Sequence, residues 1–144
     1  MKKLIPLLLM LMLVACSTAK YDVEDTITQE QQIIESSKVE LLISEVSQDQ
    51  IAYVMINHTD QKYLYGEPYH LEVKIGKQYR ILKMKENVAF KLPGYYLLPK
   101  ESVKATIQPL DYYQSLPKGN YRLVKSIFDD KNQMKFIVGE FTLP

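Results

Sequence analysis

Few side chains of this sequence have the types and spacing that catalysis or metal binding requires. His58 and His70 lie twelve residues apart on different predicted elements, with no Cys or acidic residue at ligand spacing, which does not favour a zinc site. Asp129 and Asp130 lack a nearby third carboxylate for calcium, so we assign them to a hairpin turn. No G-x-S-x-G elbow or glycine-rich phosphate loop occurs. We therefore predict no catalytic residue, no metal and no cofactor.

The single cysteine, Cys16, ends an N-terminal pattern that has a chemistry of its own. Two lysines at positions 2 and 3 precede the uncharged apolar run 4–14, and the small residue Ala15 follows. This order is typical of a secretory signal. As a helix, the run would span only about 16 Å of a hydrocarbon core about 30 Å thick, so it is too short for a membrane-spanning anchor.

The last four residues of this pattern resemble the lipobox of bacterial lipoprotein precursors: Leu13, Val14, Ala15 and Cys16. The resemblance implies cleavage before Cys16, a diacylglycerol thioether on its sulfur, and an acyl chain such as palmitate on the new amino terminus. Two or more acyl chains hold a protein stably on a bilayer, whereas one does so only marginally. We therefore expect an extracytoplasmic protein, lipid-anchored at the outer face of the bacterial cell membrane. An incidental cysteine in an ordinary signal peptide is the alternative.

Composition limits the rest of the chain to one ordinary globular domain. The chain has 144 residues, of which 47% are hydrophobic and 24% charged. The net charge of +1 provides no field for nucleic acid, so we expect no nucleic-acid partner. Because Cys16 is the only cysteine, the folded part must be stabilised by packing without a disulfide.

The stretch that follows the cysteine has the composition of a spacer. Residues 21–50 carry eight acidic side chains against Lys38 alone. Thr26 and Gln29 match a capping box that would open a short helix, and an ordinary hydrophilic linker is the alternative. We therefore divide the chain into a signal peptide 1–15, a lipidated cysteine with a short acidic linker 16–38, and one domain 39–144.

The domain consists of short runs rich in Val, Ile, Tyr and Phe, separated by turn residues about every ten positions. Alternation of apolar and polar residues marks one face of each strand for the core. Gly76 and Lys77 fit a tight hairpin turn. These runs predict seven or eight antiparallel strands, in a Greek-key sandwich or a small barrel: 39–43, 51–56, 71–75, 79–81, 88–90, 103–107, 120–128 and 134–143.

The turn before the penultimate strand favours the sandwich. Gly119 is followed closely by Tyr121 at the start of that strand. In immunoglobulin-like sandwiches, a tyrosine at this corner lies two residues before the second cysteine and bonds to upstream backbone. Here Leu123 occupies the place of the cysteine. We therefore expect a structural corner at Gly119 and Tyr121.

Three stretches of the domain resemble the bacterial immunoglobulin-like domains of short exported lipoproteins, mostly from Gram-positive bacteria. The stretches are Tyr65, Gly66, Glu67, Pro68, Tyr69; Glu86, Asn87, Val88, Ala89, Phe90; and Leu116, Pro117, Lys118, Gly119, Asn120, Tyr121, Arg122. The resemblance covers about 39–144 and implies an all-β, immunoglobulin-like Greek-key sandwich without a catalytic site. Such domains often have tryptophan in the second hairpin strand, where this chain has Tyr79. We expect Tyr79 to be a smaller central packing residue.

Tyrosines near predicted loops suggest a recognition surface. Tyrosine provides a large contact area at a low entropic cost, as in binding loops. Half-buried positions at a sheet rim are the alternative. The residues concerned are Tyr63, Tyr65, Tyr69, Tyr95 and Tyr96.

A second candidate surface is basic. A positively charged hairpin suits an anionic wall polymer such as teichoic acid, lipid headgroups or an acidic protein. A solvated strand face, with edge lysines that prevent aggregation, is the alternative. The residues concerned are Lys74, Lys77, Arg80, Lys83 and Lys85.

Together these patterns predict a non-catalytic immunoglobulin-like module, displayed on the cell envelope, that binds or positions another envelope component. The expected partners are the membrane, through the lipid anchor, and an envelope protein or an anionic wall polymer. A second hypothesis is an envelope stress or resistance accessory protein that captures a small ligand at the tyrosine-rich loops. A deep pocket there would favour the second hypothesis, and a convex sandwich the first.

Overall fold

The computed structural model describes residues 21–144, and this part of the chain is all-β. The predicted signal peptide 1–15 and the predicted lipidation site Cys16 lie outside the described residues. Nine strands and two short 3-10 helices, Glu30–Gln32 and Pro109–Asp111, are present between residues 21 and 144. The strands are β1 Val39–Val46, β2 Ile51–Asn57, β3 Tyr63–Gly66, β4 His70–Ile75, β5 Gln78–Ile81, β6 Gly94–Leu97, β7 Ser102–Ile107, β8 Gly119–Phe128 and β9 Met134–Leu143.

The strands form two antiparallel sheets that pack as a sandwich. One sheet has the order β1-β2-β7, and the other contains β5-β4-β8-β3-β6, with β9 also paired to β8. The predicted immunoglobulin-like sandwich is confirmed, with nine strands rather than seven or eight. The predicted hairpin turn is also present, because Ile75 pairs with Gln78 and Gly76 has a φ of 64°.

Strand β8 is the centre of the larger sheet. Along one edge it pairs with β9 over its whole length, from Gly119 to Phe128. Its other edge is shared by two strands, with β4 opposite 121–124 and β3 opposite 127–128. The inner face of β8 supplies Tyr121, Leu123 and Ile127 to the core, and all three are fully buried.

The core follows the alternation that the sequence shows. In β2, four inward side chains are buried and alternate with half-buried outward ones. The buried core includes, from both sheets, Val39, Leu41, Ile51, Tyr53, Met55, Tyr63, Tyr69, Leu71, Val73, Leu97, Tyr113, Leu123, Ile127, Ile137 and Leu143. At one edge the two sheets approach closely, since a Cβ on Gly139 would overlap the Leu41 side chain and lie 2.9 Å from the Leu41 carbonyl oxygen.

Two strands escaped the sequence analysis, and one predicted strand is absent. β3 and β6 are four residues each and pair with one another. Glycine or proline flanks them, so their sequences resemble loops. The stretch 88–90, predicted as an edge strand, is not a strand. Phe90 instead stacks on Tyr112, with ring centroids 4.4 Å apart.

Residues 21–38, which the sequence analysis assigned to a linker, pack on the domain. Backbone hydrogen bonds join Glu24 N–H to Ile81 and Lys83 N–H to the Asp22 carbonyl, beside β5. Farther along, Ile34 N–H donates to Phe136 in β9. The predicted helix after Thr26 is only the single 3-10 turn Glu30–Gln32. Alternation is weak in 21–34 because this segment crosses the sheet rather than joining it as a full strand.

The corner at the start of β8 links this N-terminal segment to the core. The Tyr121 hydroxyl donates to the Pro117 carbonyl, four residues upstream, and the Tyr121 ring stacks on Phe141 at 5.5 Å. The Tyr21 hydroxyl donates to the Lys118 carbonyl at 2.6 Å. A Cβ at Gly119 would lie only 2.6 Å from that hydroxyl, so a side chain at this position would displace Tyr21.

Replacing Tyr121 with Phe should lower the free energy of unfolding by about 1 kcal/mol, because one buried hydrogen bond is lost while the ring packing remains. Urea denaturation measures this change. Tyr96→Phe is the matched control, since Tyr96 is 55% exposed and should tolerate the loss of its hydroxyl. An unchanged midpoint for Tyr121→Phe would show that the corner bond contributes nothing.

Candidate functional site

The N-terminal segment 21–34, which we call the strap, crosses the outer face of the larger sheet from β5 to β9. It contacts each strand on the way: Arg80 of β5 donates to the Glu24 carbonyl at 3.0 Å, and Thr28 Oγ1 lies 3.2 Å from His70 Nε2 of β4. Beyond these contacts, the strap reaches β8 through Glu30 and β9 through Ile34. The strap therefore fastens the N-terminal end of the described chain to four strands.

A buried ion pair lies beneath the strap. Glu72 of β4 and Arg122 of β8 are opposite one another in the sheet, and the Arg122 Nε–H donates to the Glu72 carboxylate. The Glu72 side chain is fully buried, and that of Arg122 is 5% exposed. The rest of the guanidinium donates to the Glu30 carboxylate of the strap, at 2.8 and 3.5 Å. His70 Nε2 lies 3.2 Å from the other Glu72 oxygen.

Hydrogen bonds from neighbouring residues keep both members of this pair ionised. Burial acts to raise the pKa of Glu72, but hydrogen bonds from His70, Thr28 and Arg122 outweigh it and hold the pKa below its ordinary value. Burial likewise acts to lower the pKa of Arg122, and its bonds to Glu30 and Glu72 raise it instead. A buried carboxylate stays ionised here only because the sheet and the strap both supply donors.

Tyr79 belongs to this outer-face cluster, which corrects the sequence expectation. It was expected to pack in the centre of the sandwich. Instead it is half-buried on the outer face, with the Arg122 guanidinium 4.3 Å from its ring centroid. Alternation explains this placement, because Tyr79 is opposite Lys74, which shares its face with Glu72. The ring covers the guanidinium through a cation–π contact.

A second buried charge, Lys125, lies on the inner face of β8, at the gap between its two edge partners. Lys125 is only 2% exposed. The ammonium donates to the carbonyls of Gly66, Glu67 and Pro68 at 2.8, 3.4 and 3.2 Å. These residues connect β3 to β4, where the ladder along β8 is interrupted. Burial lowers the pKa of Lys125 to about 8.

The five tyrosines proposed for recognition do not form one surface. Tyr63 and Tyr69 are buried in the core, at 5% and 6% exposure. Tyr65 is half-buried, with its ring centroid 5.7 Å from that of Tyr95. Only Tyr95 and Tyr96 are well exposed, and both belong to β6. A cleft of about 860 Å³ lies between the strap and the loop after β5, and a cleft of about 450 Å³ is lined in part by Tyr63; neither cleft brings the five tyrosines together.

The basic residues of the β4–β5 region are also dispersed. Lys74 and Lys77 are exposed at and beside the hairpin turn. Arg80 is half-buried and bonded to the strap, while Lys83 lies 3.6 Å from Asp22 of the strap. Lys85 donates to the Leu110 carbonyl at 2.6 Å. Of these five cations, Lys83 alone contacts an acidic side chain of the strap, while Arg80 and Lys85 bond to backbone carbonyls.

The other polar residues that the sequence analysis considered for metal binding make contacts within the fold. Asp129 accepts hydrogen bonds from the Lys131 and Gln133 backbone, at 3.0 and 2.8 Å, in the β8–β9 turn. His58 Nε2 lies 3.1 Å from Glu40 at the surface. Within residues 21–144, no group of three or more His, Cys, Asp or Glu side chains is arranged to hold a metal.

Sequence reasoning missed the strap and both buried charges. One signal was available: Arg122 and Lys125 interrupt an otherwise apolar strand, next to Leu123, Val124 and Ile127. A charged side chain within such a strand needs a buried partner. The partners themselves are 50 to 92 positions away in the chain and could not be identified from the sequence.

The sandwich of two antiparallel sheets with a tyrosine corner defines an immunoglobulin-like domain protein. Residues 21–137 match the family described as bacterial Ig-like domain, and the chain belongs to this family. No helix within residues 21–144 combines the length and apolar character needed to cross a membrane.

Several solved structures are similar to this chain at low sequence identity. A structural-genomics target named SoR45 is 12% identical, with a TM-score of 0.41, over 74% of this chain and 82% of that one. The archaellum periplasmic stator protein FlaG from Sulfolobus acidocaldarius is 14% identical, with a TM-score of 0.39, over 73% and 99%. A FlaF–FlaG archaellum periplasmic stator complex from the same organism is 12% identical, with a TM-score of 0.37, over 88% of this chain and 100% of that chain. No curated protein matches this chain.

Replacing Arg122 with Met should destabilise the domain by about 3–5 kcal/mol, because the buried Glu72 carboxylate loses its charge partner. In the double variant Glu72→Leu/Arg122→Met, much of this loss should be recovered, since no unpaired charge remains. Urea denaturation of the two single variants and the double variant measures the coupling. Losses that simply add would show that the pair is not coupled.

The pKa of Lys125 predicts a pH dependence. The folded chain releases this proton at about pH 8, whereas the unfolded chain keeps it until about pH 10.4. The unfolded state therefore binds more protons in this window, and stability rises with pH. Relative to Lys125→Met, the wild type should gain about 2 kcal/mol between pH 7 and pH 9.5.

Parallel denaturation curves of the two proteins test this dependence. Keeping the measurement below pH 10 avoids tyrosine ionisation, since burial raises the pKa of Tyr53 to about 12 and works in the opposite direction. If both proteins showed the same pH dependence of stability, groups other than Lys125 would be its cause.

Proposed function

We propose that this protein is an extracytoplasmic lipoprotein, lipidated on Cys16, whose immunoglobulin-like domain binds or positions another envelope component without catalysis. The observation that carries the proposal is the strap. It fastens the chain to the sheet from Tyr21 onward, only five residues after the lipobox cysteine. The family match to a bacterial Ig-like domain supports an envelope module, and the polar clusters described above have structural roles.

The strap sets how far the domain can lie from its anchor. Five residues, even fully extended, reach at most about 18 Å, whereas a linker from Cys16 to Lys38 would reach over about 75 Å. The proposed lipid would therefore hold the domain close to the outer face of the membrane. Confinement to a thin layer raises the effective concentration of the domain toward partners in the same layer.

The strap also provides a way to bear load. A pull on the proposed anchor would act first on the contacts of Tyr21, Asp22 and Glu24, and then in turn on the contacts with β4, β8 and β9. The buried Glu72–Arg122 pair lies at the middle of this path. Such an attachment suits a module that positions a partner against the membrane.

Two exposed regions remain available to a partner. Lys74 and Lys77, at the β4–β5 hairpin, suit an anionic wall polymer, and Tyr95 and Tyr96 suit a protein. Because Tyr63 and Tyr69 are buried, the tyrosines offer an edge for contact rather than a pocket for a small ligand. We therefore favour a macromolecular partner.

Metabolic labelling with an alkyne analogue of palmitate tests the anchor. The wild-type chain should incorporate the label and partition into the detergent phase, and Cys16→Ala should lose the label because it lacks the acceptor thiol. Ser17→Ala is the matched control and should keep the label. Equal labelling of Cys16→Ala, or an unlipidated amino terminus on the native product by mass spectrometry, would contradict the proposal.

A further inference from the structure

The free edge of β6 differs from the other edges of the two sheets. Beside β5 lies the strap, and beside β9 lie β1 and residues 33–34. In β1, Glu40, Glu45 and a bulge protect the edge, and β7 carries Lys104. By contrast β6, Gly94–Leu97, pairs with β3 alone and contains no charged residue.

Exposed apolar side chains surround this bare edge. Leu92 is 99% exposed, Tyr96 55%, Leu98 50%, Tyr95 42%, and Leu64 of the neighbouring strand 36%. Large exposed apolar side chains concentrated along an unpaired edge strand are a template for strand pairing with another chain.

The backbone of β6 has hydrogen-bonding groups turned toward this edge. The Gly66 carbonyl accepts from Lys125 on the β8 side of β3, whereas the Tyr65 carbonyl faces β6, 3.7 Å from where a Cβ on Gly94 would lie. Tyr95, the partner of Tyr65, therefore directs its N–H and C=O toward β3. Alternate residues of a strand direct these groups to opposite edges, so the N–H and C=O of Gly94 and Tyr96 point away from β3, where a second strand could reach them.

The stretch 92–98 is self-complementary about Tyr95. In a two-fold antiparallel pairing centred on this residue, Tyr95 faces its own copy, Gly94 faces Tyr96, and Leu92 faces Leu98. Gly94 offers no side chain to obstruct the facing tyrosine, and Leu64 beside it gives that ring an apolar floor. Leu92 and Leu98, the two most exposed leucines of residues 21–144, would cover one another.

Two charged residues lie at the ends of β3 beside this edge. Lys62 lies at one end, with its ammonium 4.5 Å from the Tyr96 ring centroid. Glu67 follows the other end, where it accepts a hydrogen bond from the Tyr95 hydroxyl at 3.4 Å. A two-fold axis at Tyr95 places the two Lys62 side chains at opposite ends of the joined sheet, and likewise the two Glu67 side chains, so like charges do not oppose the pairing.

We propose that β6 pairs with β6 of a second copy of this chain, joining the two larger sheets into one continuous sheet across a two-fold axis at Tyr95. The pairing strand has only four residues, so the interface is small and the association weak in dilute solution. Confinement on a membrane would raise its occupancy.

Disulfide trapping in intact cells tests this register. In this register Tyr95 and its copy form a non-hydrogen-bonded antiparallel pair, in which facing Cα atoms lie about 4.5 Å apart, within the range that a disulfide spans. Tyr95→Cys should therefore give a covalent homodimer under mild oxidation. Leu42→Cys, at a similar 46% exposure on the other sheet, is the matched control, and the wild type gives the background from Cys16.

The dimer from Tyr95→Cys should exceed both controls several-fold, and adding Tyr96→Lys should abolish the excess because an edge lysine opposes pairing. Leu42→Lys should leave it unchanged. Co-expressed Leu92→Cys and Leu98→Cys chains should cross-link with one another more than either does with itself, which tests the register at two exposed positions. Repeating the trapping in Cys16→Ala separates this proposal from the lipid anchor. A dimer yield equal to that of Leu42→Cys, or adducts with other proteins alone, would overturn it.

Discussion

The buried ion pair between Glu72 and Arg122 is the constraint on which the outer face of the molecule depends. A carboxylate removed from water is tolerated only when donors surround it. Arg122 and His70 supply donors from the sheet, and Thr28 and Glu30 of the strap complete the cluster. The pair therefore couples the N-terminal segment to the sheet, because a sheet without its strap would expose a half-satisfied cluster.

Lys125 provides the corresponding constraint inside the sandwich. Strand β8 must accept two successive partners along one edge, and the chain between those partners leaves carbonyl groups without ladder bonds. The ammonium of Lys125 bonds three of these carbonyls at the interruption. One strand thus carries two buried charges on opposite faces, and each joins segments that are distant in sequence.

These constraints connect the fold to the proposed role. The strap shortens the path from the proposed anchor to the domain, and it covers the β5 edge against unwanted pairing. Protection of the other edges leaves β6 as the surface best suited to pairing. Unsatisfied backbone groups at a sheet edge therefore explain both why the strap covers β5 and why β6 remains available for pairing.

The amino-acid sequence by itself determined the all-β class, the long strands, the Gly76 hairpin and the tyrosine at the β8 corner, because these depend on alternation and turn chemistry within about ten residues. It also contained the lipobox pattern. The tertiary structure alone decided that residues 21–34 cross the sheet, that β3 and β6 pair, that Tyr79 stacks on Arg122, and that two tyrosines are buried. Each of these features requires a partner tens of residues away, and local propensity holds no information about such a partner.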